Sequence, residues 1–104
     1  MSGRRSRRKG AQFERDLANR LKALWPEARR GIGQARSAGE VADVEGTPYW
    51  IEAKRHKRCS IPAAWRQAVE ATDGRPIMVV TKDDGGEVLV TVKLETVLLW
   101  LKLE

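Results

Sequence analysis

Cysteine and histidine are almost absent from this chain, which has a single cysteine, Cys59, and a single histidine, His56. One cysteine has no partner for an internal disulfide, and one cysteine with one histidine does not complete a four-ligand zinc site. Neither a disulfide framework nor a structural zinc ion is therefore expected to hold the fold. That role falls to apolar side chains, which make up 41% of the sequence.

Long hydrophobic runs are also missing. No stretch approaches the roughly 20 apolar residues that cross a bilayer, and the first residues are basic without the apolar segment of a signal peptide. We therefore expect an intracellular, cytoplasmic protein with no membrane partner. The 104 residues are enough for one core, and we divide them into a basic arm at 1–9 and a single domain at 10–104.

Negative charge is in the minority, with 14 Asp and Glu residues against 20 Lys and Arg residues and a net charge of +6. A surplus of this sign favours a polyanionic partner, and the phosphate backbone of DNA is the natural one. For any one basic cluster, a solvated face that only aids solubility is the alternative. Three clusters are predicted to contact DNA: Arg4, Arg5, Arg7, Arg8 and Lys9; Arg29, Arg30 and Arg36; and Arg55, Lys57 and Arg58, which follow Lys54.

Hydrophobic periodicity predicts a first helix and two central strands. Apolar residues recur at helical spacing from Gly10 to Trp25, and Pro26 ends the pattern. The stretch 29–39 is rich in glycine and reads as a weak strand or a loop. Runs of β-forming residues at 41–44 and 49–53, separated by Glu45-Gly46-Thr47-Pro48, predict two adjacent strands joined by a tight turn.

The second half predicts a helix, a hairpin and a last helix. Ser60 is a candidate N-cap and Pro62 suits a first helical turn, so we place a helix from there to about residue 71. Two β-branched runs, 77–81 and 88–92, flank the hairpin signal at 83–86. Residues 94–103 form an apolar helical segment. This order indicates an α/β fold with a mixed central β-sheet flanked by helices.

One acidic residue and a Glu-x-Lys triplet carry the candidate chemistry. Strand alternation puts Glu52 and Lys54 on the same face, and the turn brings Asp43 alongside. Two converging carboxylates suit Mg²⁺, the backbone carbonyl of Ala53 can add a ligand, and a neighbouring lysine can stabilise charge on a phosphate undergoing attack. The alternative is a solvent face with cross-strand ion pairs.

Asp43 followed by Ile51-Glu52-Ala53-Lys54 resembles the D-(x)n-E-x-K motif of the PD-(D/E)XK nuclease superfamily. Lys9-Gly10 with Phe13-Glu14-Arg15 is similar to the opening of archaeal-type and phage Holliday junction resolvases, and the segment 61–68 is similar to the helix after their catalytic lysine. The resemblance implies a restriction-endonuclease-like αβββαβ core. It also implies that Glu14 reaches the metal and that Gln67 lies near the site. Ala42 departs from the pattern, which has proline before the aspartate.

The resemblance implies a Mg²⁺-dependent DNA endonuclease, a hydrolase of recombination or repair, with Mn²⁺ as a substitute metal. Its catalytic set would be Glu14, Asp43, Glu52, Lys54 and Gln67, and its metal ligands Glu14, Asp43, Glu52 and Ala53. A Holliday junction resolvase-like enzyme is the first expectation. A less selective phage or repair endonuclease and a non-catalytic DNA-binding module are the alternatives.

A homodimer through residues 94–103 is a further expectation. Leu94, Val97, Leu98 and Leu101 would form one helical stripe, while Leu99, Trp100 and Leu103 lie outside it. One small core cannot cover both faces of such a helix, so a second subunit is the expected cover. A two-fold dimer would also provide the two active sites that symmetric cleavage of a junction requires.

Overall fold

A five-stranded mixed sheet lies between helices in the computed structural model, which describes residues 2–32 and 41–103. This confirms the predicted α/β class and the order of its elements. In chain order these are α1 Ser2–Leu21, β1 Arg29–Arg30, β2 Val44–Glu45, β3 Trp50–His56, α2 Ile61–Ala71, β4 Ile77–Asp83, β5 Val88–Thr91 and α3 Leu94–Lys102.

The strands lie side by side in sequence order. Strands β1, β2 and β3 pair antiparallel, β3 pairs parallel with β4, and β4 pairs antiparallel with β5. A parallel pair cannot be closed by a tight turn, and α2 provides the crossover between β3 and β4. Strand β3 is therefore the central strand and carries the Glu-x-Lys triplet.

Two apolar clusters pack on opposite faces of β3. Ile51 and Ala53 face α1 and contact the cluster of Phe13 and Leu17, whereas Trp50 faces Ala64 and Ala68 of α2. Strand alternation produces this division, because successive side chains point to opposite sides of a sheet. Glu52 and Lys54, which follow Trp50 by two and four positions, therefore lie on the α2 face of the sheet.

The first helix differs from its predicted bounds at both ends. It begins at Ser2 rather than Gly10, so the described part of the basic arm continues the helix. It ends at Leu21, where the N–H groups of Leu24 and Trp25 both bond to the Leu21 carbonyl in a turn. Trp25 then packs on Tyr49 with ring centroids 5.6 Å apart. Arginine and lysine are good helix formers, and hydrophobic periodicity does not detect a helical turn that has no apolar residue.

The second helix and the hairpin confirm their sequence signals. The Ser60 side chain accepts a hydrogen bond from the Ala63 N–H, and Pro62 lies in the first turn of α2. The turn between β4 and β5 contains Gly85, whose φ is 73°. Strand β2 is shorter than the predicted 41–44, because the side chain of Asp43, rather than its backbone, accepts the hydrogen bond from the Ala53 N–H.

The last helix packs on a different side from the expected stripe. Trp100 donates from Nε1 to the Tyr49 hydroxyl at 2.7 Å, whereas Leu94, Leu98 and Leu101 are exposed. No residue of α3 is buried. In the described part of the chain, no helix is both long and apolar enough to span a membrane.

Gly46 sets the turn between β2 and β3 and thereby the placement of Asp43 beside Glu52. Its φ is 85°, and a Cβ there would lie 2.1 Å from the carbonyl oxygen of Glu27. Gly74 also has a positive φ, of 107°, but faces open space. A comparison of substitutions at Gly46 and Gly74 therefore distinguishes the cost of a positive φ from the cost of a steric clash.

We predict that Gly46→Ala lowers the free energy of unfolding by at least about 2 kcal/mol more than Gly74→Ala, because only the first forces backbone atoms apart. Urea unfolding followed by circular dichroism measures both values. Equal losses would show that the approach of Glu27 does not constrain this turn.

Candidate functional site

Asp43 lies where β2 and β3 separate. Its backbone N–H donates to the carbonyl of Ile51 at 2.9 Å, and its carboxylate Oδ2 accepts from the N–H of Ala53 at 2.8 Å. The side chain thus takes the place of a backbone acceptor, which accounts for the short β2. The partners of these two hydrogen bonds, Ile51 and Ala53, flank Glu52 in β3, so Asp43 is held beside Glu52.

The charge state of Asp43 depends on its neighbours. Burial raises the pKa of Asp43 to about 7, opposed by the hydrogen bond from the Ala53 N–H. The negative charges of Glu52 and Glu14 also raise this pKa, whereas Lys54 lowers it. Glu14, Glu52 and Lys54 therefore all lie near enough to Asp43 to influence its charge.

Glu52 and Lys54 share the α2 face of the sheet, which confirms the predicted alternation. Glu52 is only 6% exposed. Its Oε1 accepts from Nε1 of Trp50 at 3.4 Å, and its Oε2 lies 3.5 Å from Nζ of Lys54. The same lysine ammonium donates to Oε1 of Gln67 at 2.8 Å. The structure therefore brings Gln67 into contact with the Lys54 ammonium.

Glu14 lies on α1, and its carboxylate forms an ion pair. Oε1 of Glu14 accepts from Nε of Arg30 at 2.7 Å, in a part-buried ion pair. The pair ties α1 to β1 beside Asp43. Arg30 was predicted from its basic cluster to contact DNA, and a pairing of Glu14 with a nearby arginine was the alternative to a role at the metal.

The carboxylates can be tested for their fit to a metal ion. Among residues 2–32 and 41–103, no three His, Cys, Asp or Glu side chains form a group that could hold a metal. Mg²⁺ requires fewer, since it typically takes one or two protein carboxylates and fills its remaining positions with water and phosphate oxygens. Asp43 and Glu52 fit that donor set, with the Ala53 carbonyl as a possible third oxygen.

Two basic openings adjoin the carboxylates. The larger, about 760 Å³ and open to solvent, has no acidic side chain in its lining: Arg7, Arg8, Lys9, Ala11, Gln12, Arg15 and Arg30. The smaller, about 280 Å³, includes Lys54, His56, Arg58 and Gln67 in its lining. Arg30 links the first opening to Glu14, and Lys54 links the second to Glu52. Arg15 was missed by sequence analysis, although it follows Arg8 by two helical turns.

The predicted DNA-binding residues differ in their contacts and in their exposure. Lys9 and Arg55 both pair with the Asp84 carboxylate. Both lower the pKa of Asp84, and the effect of Arg55 is the larger. Arg29, Lys57 and Arg58 are exposed on the surface. Arg36 and the side chains of Arg4 and Arg5 lie outside the described part of the chain.

No protein-family model, curated protein or solved structure matches this chain. The resemblance to PD-(D/E)XK nucleases therefore stays a prediction from the motif. Any assignment of function depends on the chemistry of the residues around Asp43.

We predict that Asp43→Asn raises the melting temperature in EDTA by at least about 4 °C near pH 8 and changes it little near pH 4. Because the folded-state pKa exceeds the ordinary value of 3.8, the native state binds the extra proton, and stability falls as pH rises from about 4 to 7. Asparagine keeps an oxygen for the Ala53 N–H and has no charge to bury.

Scanning calorimetry at both pH values measures this effect. Asp16→Asn is the control, because it removes an exposed carboxylate from α1. An equal shift at the two pH values would contradict the assignment of a raised pKa to Asp43.

Proposed function

We propose that this chain is a Mg²⁺-dependent DNA endonuclease of the restriction-endonuclease-like class. The observation that carries the proposal is the hydrogen bond that holds Asp43 at Ala53, between Glu52 and Lys54, where two strands separate. One basic opening is lined by Lys54, and a second by Arg30, the partner of Glu14. Paired carboxylates, a lysine and a basic surface are together the requirements for phosphodiester hydrolysis at a metal. A solvent face with ordinary ion pairs would not bury Glu52 or raise the pKa of Asp43.

Each side chain has a role in this proposal. Asp43, Glu52 and the Ala53 carbonyl would hold Mg²⁺, or Mn²⁺ in its place, and the bound ion would supply Lewis-acid polarisation of the phosphate and of a water molecule. Lys54 holds a positive charge where negative charge develops on the phosphate, and Gln67 and Glu52 fix its ammonium. Glu14 would reach the metal ion from α1, as the resemblance implies, and Arg30 holds its carboxylate there.

The basic openings suggest how DNA approaches. Phosphates of one strand would occupy the opening lined by Arg7, Arg8, Arg15 and Arg30 on the α1 side. A neighbouring phosphate would contact His56 and Arg58 on the α2 side. The scissile phosphate then lies between them, next to Lys54. The resemblance to resolvases favours a four-way junction as the substrate.

We predict that the protein cleaves DNA with Mg²⁺ or Mn²⁺ but not with Ca²⁺ or EDTA, and that Glu52→Gln abolishes cleavage. Lys54→Ala should slow it by roughly 100-fold, because a preorganised charge at the transition state contributes on the order of 3 kcal/mol. Binding in Ca²⁺ should persist in Glu52→Gln, since the variant removes a charge that repels phosphate. Glu70→Gln, on the exposed side of α2, is the matched control.

A gel assay with a four-way junction, a linear duplex and a single strand measures these outcomes, and circular dichroism verifies that each variant is folded. Equal cleavage of all forms would favour the less selective endonuclease. Binding without cleavage of any form, by wild type in Mg²⁺, would reject the enzyme and favour a non-catalytic DNA-binding module.

We also propose a homodimer through α3 and its surroundings. Leu94, Leu98, Leu99, Leu101 and Leu103 are each more than half exposed. Near Trp100, an entirely apolar cavity of about 430 Å³ lies between Leu24, Trp25 and Val90. Exposed apolar surface of this kind marks an association site, and a second copy supplies a matching apolar face.

We predict a dimer at micromolar concentration that Leu98→Glu combined with Leu101→Glu converts to monomer, because each charge would be buried without a partner. Light scattering measures the mass. Val69→Glu, at an exposed apolar residue of α2, is the control and should leave the dimer intact. A monomeric wild type would reject the dimer, and a dimer that survives both substitutions would move its interface elsewhere.

A further inference from the structure

The side chain of Arg75 donates several hydrogen bonds near the β2–β3 turn. It lies between α2 and β4, and its side chain is 23% exposed. Its guanidinium donates to the carbonyls of Thr47 and Tyr49 at 3.2 and 3.3 Å. Nε donates to the Asp73 carboxylate at 3.0 Å. A planar guanidinium can hold several acceptors at fixed angles in a way that a lysine cannot.

One chain of contacts leads from Arg75 to Asp43. The guanidinium pairs with both oxygens of Glu45, with Nη1 3.1 Å from Oε1 and Nη2 3.2 Å from Oε2. Oε2 of Glu45 also accepts from the N–H of Ala42 at 3.0 Å. Ala42 directly precedes Asp43. The Arg75–Glu45 pair therefore fixes the backbone from which the Asp43 carboxylate extends.

A second chain of contacts leads from Arg75 to Glu52. The guanidinium carbon lies 5.4 Å from the ring centroid of Trp50, within the range of a cation–π contact. Trp50 is only 2% exposed, and its indole N–H donates to Oε1 of Glu52 at 3.4 Å. Arg75 thus restrains the ring that donates to the second carboxylate.

We propose that Arg75 is a positioning residue that sets the separation of the Asp43 and Glu52 carboxylates through Glu45 and Trp50. None of its hydrogen bonds is to either carboxylate, so it acts through other residues. This inference rests on the proposed function, because the two carboxylates matter as a pair when they hold a metal ion. Residues that orient metal ligands typically change metal affinity by 10- to 100-fold when replaced.

The test replaces Arg75 by lysine, which keeps the charge and removes the fork of donors. Arg75→Lys should weaken the binding of Mg²⁺ by at least about 10-fold, measured by titration calorimetry with the metal alone. Cleavage at saturating Mg²⁺ should fall less than the affinity does. Arg66→Lys, an exposed site on α2, is the matched control and should retain wild-type affinity.

Single replacements separate the two chains of contacts. Glu45→Gln removes the ion pair and keeps an oxygen for the Ala42 N–H, whereas Trp50→Phe keeps an aromatic ring and removes the donor to Glu52. Each should lower Mg²⁺ affinity, and the two together should approach the effect of Arg75→Lys. Unchanged Mg²⁺ affinity in Arg75→Lys, with only a lower melting temperature, would overturn the inference and leave Arg75 a structural residue.

A readout without metal distinguishes failure of this inference from failure of the proposed function. In nuclear magnetic resonance spectra, the Ala53 amide reports its bond to Asp43, and the Trp50 indole N–H reports its bond to Glu52. Both signals should move in metal-free Arg75→Lys and stay in place in Arg66→Lys. If they move while the wild type binds no Mg²⁺, the positioning stands and the metal-dependent function fails. If neither moves, the positioning role is rejected.

Discussion

The hydrogen bond from the Ala53 N–H to the Asp43 carboxylate is the interaction on which the site depends. In an uninterrupted antiparallel ladder, that N–H would bond to a backbone carbonyl. Here a side chain accepts it at 2.8 Å, and β2 is limited to Val44–Glu45. The two strands separate at this point, which leaves room beside Glu52. The same bond opposes the effect of burial on the pKa of Asp43.

The site lies at the boundary between the two apolar clusters. Ile51 and Ala53 anchor β3 against α1, while Trp50 anchors it against α2. Between these anchors Glu52 is buried and Lys54 is partly exposed, so the polar groups emerge at one end of a strand that is rigid on both faces. A site on such a strand is held more precisely than one on a loop.

Local sequence patterns predicted the features that depend on near neighbours. Strand alternation placed Glu52 and Lys54 together, and the cap at Ser60 and the hairpin at 83–86 follow from local turn and cap chemistry. Alternation also puts Trp50 on the face of Glu52, a signal that was available but not used. The contacts of Arg75 could not be predicted from the sequence, because its partners Glu45 and Tyr49 are distant along the chain and no periodicity links them to it. The helical turns before Gly10 were missed because residues 2–9 contain no apolar side chain from which a helical stripe could be recognised.

The continuity of α1 through the basic arm changes the thermodynamics of any contact with a polyanion. Ordering a flexible segment loses about 1–2 kcal/mol of backbone entropy per residue. In this structure residues 2–9 are already helical, so that loss accompanies folding rather than association. The helical form also shortens the reach of the arm: eight residues rise about 12 Å as a helix, against about 27 Å when extended. The backbone of the arm is therefore a compact rod, and the basic residues follow one another along it at helical spacing.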